Sequence, residues 1–342
     1  MKENELIRAL TKNVVRSSAQ KNACFECDAE LFELDGVQMG ISTDEFSPEE
    51  DHFVSFAPGT LGYNLVIATV SDLWAAGVQP RFFVHACTMP RSAQDGFLEG
   101  LAQGIGEGLK DSGCYLLGGD TGLADSWRYV GTALGTVVRP LRRTGASPGA
   151  RLYSTGRFGS GNRQALLKHL IETKQVADTP ENLAAATPRF SSRRSAAEIL
   201  WKHAAFAMDS SDGYVETLRT LAELNPACRF SVALESRLLD PVSAAVAQKA
   251  GLPPELLFFG SGGEYELLFG VPEDAAASLE AQMRAASLEL HPIGRVEEGT
   301  GLQLLWGDGR RVSLDRAMPD PRALGVERYI QQLIRMLADL RG

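Results

Sequence analysis

The sequence predicts a two-domain protein of mixed α/β type. Three observations carry this reading. At 342 residues the chain is about twice the length of an ordinary domain. Short β-rich apolar runs alternate with segments of helical period. A turn-rich joint, Thr144-Gly145-Ala146-Ser147-Pro148-Gly149, separates two such halves.

The elements follow in order. Val37–Thr43, Leu65–Val70 and Phe82–Thr88 read as strands, each an apolar run bounded by turn residues. Gln94–Lys110 reads as a helix, with Phe97, Leu98, Leu101, Ile105 and Leu109 on one face. Tyr129–Val138 and Leu152–Thr155 are strands on either side of the joint. In Gly213–Leu224 the residues Val215, Leu218, Leu221 and Ala222 form a helical face, and Arg229–Leu234 and Glu266–Val271 read as further strands. Pro321–Leu340 closes the chain as one amphipathic helix, with Pro321 in its first turn and Val326, Ile330, Leu333, Leu337 and Leu340 on one stripe.

Composition narrows the function. Hydrophobic residues make up 44% and charged residues 23%, the balance of an ordinary globular chain. Forty-three acidic residues against 34 Lys and Arg give a formal charge of -9, the wrong sign for a nucleic-acid binder. Basic residues cluster only in pairs such as Arg193-Arg194 and Arg310-Arg311. No apolar run is long enough to span a bilayer, and Met1–Leu10 lacks the apolar region of a signal peptide, so no membrane is expected. Five cysteines form a sparse, odd set that suits a reducing cytoplasm. Cys24 and Cys27 are spaced C-x-x-C without the second pair a zinc site needs, which favours two ordinary thiols over a metal or redox pair.

P-loop, dinucleotide-binding, zinc-protease and nucleophile-elbow signatures are absent. What recurs is aspartate beside small residues at the end of an apolar run. The chain reads Cys27-Asp28-Ala29, Ser42-Thr43-Asp44, Val70-Ser71-Asp72, Gly118-Gly119-Asp120-Thr121 and Met208-Asp209-Ser210-Ser211-Asp212-Gly213. Any one of these alone reads as a turn or helix-cap residue. Six together suggest carboxylates converging on one cleft, where they would repel unless cations neutralised them. Hard oxygen ligands suit Mg2+, and Mg2+ suits the phosphates of ATP. Gly118-Gly119 would let backbone approach phosphate closely, and Thr155-Gly156-Arg157-Phe158-Gly159-Ser160-Gly161 is a second glycine-rich loop ahead of a helix. A third, Gly260-Ser261-Gly262-Gly263-Glu264-Tyr265-Glu266, places Glu264 beside flexible backbone.

Taken in order from about Asp28 to Leu314, these runs, with Arg143-Thr144-Gly145-Ala146 and Ser261-Gly262-Gly263-Glu264 between and after them, resemble the thiamine-monophosphate kinases of the AIR synthase superfamily. The resemblance implies an N-terminal domain (1–146) that binds Mg-ATP and pairs with its copy in a homodimeric β-barrel. It implies a C-terminal α/β domain (147–320), with the helix of 321–342 appended. It implies direct transfer of the ATP γ-phosphoryl group to a small phosphorylated acceptor, thiamine monophosphate. The alternative is a divergent member of the superfamily that activates another acceptor with ATP.

Carried over position by position, the Mg2+ ligands are Asp28, Ser42, Thr43, Asp44, Asp72, Asp120, Asp209 and Asp212, of which Asp72, Asp120 and Asp212 act in catalysis. Gly118, Gly119, Arg143 and Ser211 contact the nucleotide phosphates, and His52 and Glu264 the acceptor. The chain departs from the family pattern at several places. Cys27 replaces the first of two aspartates, Asn64 a lysine, Thr69 an asparagine, and Arg316 an aromatic residue. The Gly263-Glu264-Tyr265-Glu266 run is one residue short.

Overall fold

The computed structural model describes residues 3–48, 51, 53, 56–93 and 95–341. Twelve strands and twelve α-helices are assigned among them. The strands are β1 (Glu30–Leu34), β2 (Val37–Phe46), β3 (Val78–Pro90), β4 (Tyr115–Ala124), β5 (Arg128–Val137), β6 (Arg151–Ser154), β7 (Phe206–Asp209), β8 (Cys228–Leu234), β9 (Leu267–Val271), β10 (His291–Glu298), β11 (Gly301–Trp306) and β12 (Arg311–Ser313). The helices are α1 (Glu3–Thr11), α2 (Pro58–Ala75), α3 (Asp95–Ser112), α4 (Ser160–Glu172), α5 (Pro180–Ala185), α6 (Arg194–Leu200), α7 (Tyr214–Leu224), α8 (Pro241–Lys249), α9 (Leu256–Phe259), α10 (Glu273–Ala285), α11 (Pro321–Leu324) and α12 (Val326–Arg341).

The strands form two sheets, ordered β1-β2-β5-β3-β4 and β12-β11-β8-β10-β6-β9-β7. In the first, β3 and β4 run parallel and are joined through α3, while β5 lies antiparallel between β2 and β3. Helices α2 and α3 lie against each other at close range. A Cβ on Gly62 would come within 2.2 Å of the Leu101 carbonyl oxygen, and one on Gly104 within 1.9 Å of that of Gly59. Glycine at both crossings lets the two backbones touch.

The segment Leu65–Val70, expected as a strand, is the middle of α2. The reason is burial on every side. One side of α2 meets β2, β3 and β5; the other meets α6, β7 and β9 of the second domain. A helix covered all round is apolar all round, so its 3.6-residue period disappears and its Val and Ile residues imitate a buried strand. A core of Leu65, Ile67, Val70 and Trp74 therefore runs on into Tyr153, Leu200, Leu267 and Phe269 of the second domain. A second core fills the space between the larger sheet and α7, α9 and α12, with Phe206, Phe230, Phe258 and Leu304 at its centre.

The expected terminal helix is broken. Gly325, at φ +70°, separates α11 from α12. The stripe survives in α12: Leu333, Met336, Leu337 and Leu340 are buried in the second core, with Ile330 partly covered. Among the described residues no helix is long and apolar enough to cross a membrane.

Candidate active site

The site forms where α2 meets the end of β7. Two consecutive residues of α2 reach in different directions. Ser71 donates its hydroxyl to Asp209 at the end of β7, and Asp72 accepts the hydroxyl of Ser42 from β2. Asp28, just before β1, completes the group. One carboxylate oxygen from each of Asp28, Asp72 and Asp209 lies within 4.8 Å of the other two.

The electrostatics of this group are severe. Like charges at such spacing repel by roughly 3–4 kcal/mol per pair at an effective dielectric near 20. Burial pushes the Asp28 carboxyl up to about 7, against the pull of Arg143. Burial, then the charges of Asp44, Asp209 and Asp28, hold Asp72 well above the carboxylate range. Asp209, only 1% exposed, is raised by burial too, although Ser71, Arg143 and Ser211 favour its charged form.

Arg143 gives Nε to Asp28 Oδ1 at 2.7 Å, with Nη2 on the same oxygen. The other oxygen, Oδ2, is buried without a hydrogen-bond partner. An orphaned carboxylate oxygen beside two more carboxylates is the donor set of a hard divalent cation. The residues fit Mg2+.

The remaining predicted residues divide by the face of the sheet they occupy. Asp44 pairs across the ladder with Gly131, Gly131 with His85 and His85 with Gly119, so Asp44 and Gly119 share the inner face with Ser42. Thr43 belongs to the opposite row, with Thr132, Val84 and Gly118, and its hydroxyl lies 3.0 Å from that of Thr132. Asp120 aligns with Ala86, Val130 and Glu45 on that outer face and is exposed. Within one chain the structure therefore does not bring Thr43, Gly118 or Asp120 to the buried cluster. Ser211 does reach it, its hydroxyl 3.1 Å from Asp209 Oδ1. Asp212 stands exposed at the entrance to α7. His52 lies outside the described residues; its neighbour Asp51 accepts the amide of Ser47 at 2.8 Å.

Glu264 is 3% exposed and turned into the protein. It accepts the amides of Gly159, Ser160 and Gly161 at 2.7, 2.9 and 3.2 Å, and the Ser160 hydroxyl at 2.7 Å. The glycine-rich loop 155–161 is therefore engaged from within the chain. Its free amides, at the N-terminus of α4, already hold an anion of the chain's own.

Several functional neighbours gave no sequence signal. Ser71 sits one position from a predicted ligand, yet a serine before an aspartate is too common to mark. Phe53, Phe190 and Tyr265 pack together, with Phe190 and Tyr265 ring centroids 4.7 Å apart. Tyr265 is held at φ +54°, a left-handed backbone that a bulky residue rarely adopts, and it closes the one-residue-shorter run after Gly263. The substituted position Asn64 is buried and anchors the segment carrying Phe190: it donates to the Pro188 carbonyl at 2.8 Å and accepts the Phe190 amide at 3.0 Å. Arg316 pairs with Asp339 of α12 at 3.0 Å on the surface. Cys24 is exposed and Cys27 buried, and burial pushes the Cys27 thiol up to about 12, unlike a reactive C-x-x-C pair.

Three carboxylates converge where the two α/β domains meet, one of them carried on a helix that both domains enclose, and residues 26–137 match the family of the AIR synthase related protein, N-terminal domain. The similarity extends over the length of the chain. The thiamine-monophosphate kinase of Pyrococcus abyssi is 29% identical over 307 residues, covering 90% of this chain and 92% of that protein. The chain thus carries a region that matches the AIR synthase related N-terminal domain and is similar over nine-tenths of its length to thiamine-monophosphate kinases. The solved structure "AaThiL complexed with AMPPCP and TMP" superposes with a TM-score of 0.74 at 24% identity, over 92% of this chain and 95% of that one. A crystal structure of a HypE–HypF complex gives 0.72 at 18% identity, over 91% and 99%. These two likenesses establish the fold.

Proposed function

We propose that the protein phosphorylates thiamine monophosphate with Mg-ATP. An oxygen of the acceptor phosphate attacks the γ-phosphorus, the bond to the β-phosphate oxygen breaks, and thiamine diphosphate and ADP leave. The observation that carries this is the buried Asp28–Asp72–Asp209 cluster in a chain similar over nine-tenths of its length to such kinases. Mg2+ held by these carboxylates supplies charge neutralisation for the phosphates and the transferring group.

The chain's own groups do the positioning. Ser42 and Ser71 fix the carboxylates of Asp72 and Asp209. Arg143 engages Oδ1 of Asp28 and leaves Oδ2 without a hydrogen-bond partner, so that it would be free to hold a cation. Tyr265 stands in the negative field of Asp51, Asp44, Asp209 and Asp212. An aromatic ring in such a field suits a cationic thiazolium. This supports thiamine monophosphate over an anionic acceptor, and the surface ion pair of Arg316 removes a cation that would oppose it.

On this reading residues 1–146 form the Mg-ATP and dimerisation unit, 147–320 the second domain and 321–342 the appended helices. The pairing surface is the edge strand β4, where Tyr115 is 74% exposed, with Leu117 and Leu123 beside it and Phe82 and Val84 on the next strand. A bare apolar edge strand calls for a partner. Five free thiols agree with a reducing cytoplasmic setting. The test is direct: the purified protein, Mg-ATP and thiamine monophosphate should give thiamine diphosphate and ADP in equal amounts. Turnover of ATP with no thiamine diphosphate would favour another acceptor.

A further inference from the structure

We infer that Tyr329 of α12 is a positioning residue for the glycine-rich loop 260–266, and through it for the acceptor. The Tyr329 hydroxyl accepts the backbone N–H of Ser261 at 2.9 Å and donates to the Ser261 hydroxyl at 3.2 Å. From Ser261 the loop runs directly to the inner site. Asn162 donates to the Gly260 carbonyl at 3.2 Å and accepts the Gly262 amide at 2.9 Å. The Glu264 amide donates to the Ser210 carbonyl at 3.0 Å, and the Glu266 amide to the Ser210 hydroxyl at 2.9 Å. Ser210 lies between the carboxylate of Asp209 and Ser211.

The loop has little else to hold its outer end. Beside Tyr329 lies an apolar cavity of about 60 Å³, lined among others by Leu166, Leu252, Leu257 and Ile330. Loose apolar packing fixes distance poorly, whereas a hydroxyl engaged at both lone pair and proton fixes position and orientation together. The same loop must hold Tyr265 in its strained left-handed conformation. Strain of that kind persists only where the surroundings over-determine it. Helix α12 is itself well seated: Leu333, Met336, Leu337 and Leu340 are buried, and Arg341 pairs with Glu255 at 2.8 Å. A firmly docked helix thus offers one polar handle to the outer end of a loop whose inner end is held by Asn162, Ser210 and the amides that Glu264 accepts.

This inference rests on the proposed acceptor reading for its kinetic side. In Tyr329→Phe the ring and the docking of α12 remain while the hydroxyl is lost. The Michaelis constant for thiamine monophosphate should rise about three- to tenfold, with that for Mg-ATP changed less than about twofold. Hydrogen exchange over residues 260–266 should speed up at least about tenfold, with exchange over 333–340 unchanged. Ser261→Ala keeps the backbone bond to Tyr329 and loses only the longer bond to the side chain, so it should show the same changes to a smaller extent, and an effect larger than that of Tyr329→Phe would overturn the inference. Equal rises in both Michaelis constants, or faster exchange spread across α12, would mean that Tyr329 only docks the helix and would overturn the inference. If the unsubstituted protein makes no thiamine diphosphate, the acceptor reading fails by itself. Exchange at 260–266, which needs no substrate, then decides the role of Tyr329, and unchanged exchange there sinks it.

Discussion

The five-stranded sheet presents its two faces to very different surroundings, although the same strands supply both. On the inner face Ser42 and Asp44 look toward α2, where Asp72 meets Asp28 and Asp209. On the outer face Thr43 and Asp120 stand among exposed residues, next to the apolar side chains of Phe82 and Val84. Inside, desolvation raises the carboxyl groups, so that a proton or a cation must offset their charge. Outside, a carboxylate is solvated and costs little. What an aspartate can do in this protein is decided by what the rest of the chain lays over it.

The largest effect should come from attacking the inner face. Asp72→Asn keeps an acceptor for Ser42 but removes one charge from the cluster. Turnover should fall by about 10²–10³, the range for losing a group that stabilises transferring charge. In a chelating buffer the same variant should melt higher than the unsubstituted protein, because a buried repulsion has gone. Undiminished turnover would take the inner cluster out of the chemistry. On the outer face Asp120→Asn should cost at least about tenfold in turnover if pairing through β4 makes that face part of a site, with no change of melting temperature in chelator. A variant as fast as the unsubstituted protein would confine the chemistry to the inner face.

A smaller effect sharpens the contrast through pH. Asp28 is pushed up to about 7, and Asp72 and Asp209 are also raised. Without a cation the folded chain therefore holds protons that the unfolded chain releases between about pH 4 and 7. Its stability should fall as pH rises through that window. Mg2+ takes the place of those protons, so the rise in melting temperature on adding Mg2+ should be several degrees larger at pH 8 than at pH 5.5. An equal rise at both values would contradict the cation assignment. Smallest in energy per chain is Leu117→Glu on β4, an exposed position where folding stability should move by less than about 0.5 kcal/mol. Sedimentation should nevertheless shift from about twice 36.9 kDa to a single chain. A monomer already present in the unsubstituted protein would remove the pairing proposal.

Much of this was legible in the residues. Asp28, Asp72 and Asp209 announce themselves by small neighbours and apolar flanks, and their order along the chain carries the family resemblance. The runs Val37–Thr43 and Phe82–Thr88 show in composition because each strand has one face to bury, and they fall inside the longer strands β2 and β3. Strand β4 did not, because Gly118, Gly119 and Gly122 dilute its β-character and its residues are exposed. The facing of Thr43 and Asp120 depends on cross-strand register, which no local window contains. Glu264 shows a different limit of local reading. A carboxylate beside glycines looks like a ligand for something arriving from outside, yet its partners are amides more than one hundred residues away in the same chain.

The enclosure of α2 has a consequence for how the chain can be divided. A fragment ending at residue 146 would keep α2 but expose the side that now meets α6, β7 and β9, with Trp74 losing the indole of Trp201, whose Nε1 donates to the Trp74 carbonyl at 2.8 Å. The second half would lose the helix that covers Leu267 and Phe269. Two units distinguishable by topology thus depend on each other thermodynamically. They should melt in a single calorimetric transition, and a nick at the 144–149 joint should leave the two pieces associated.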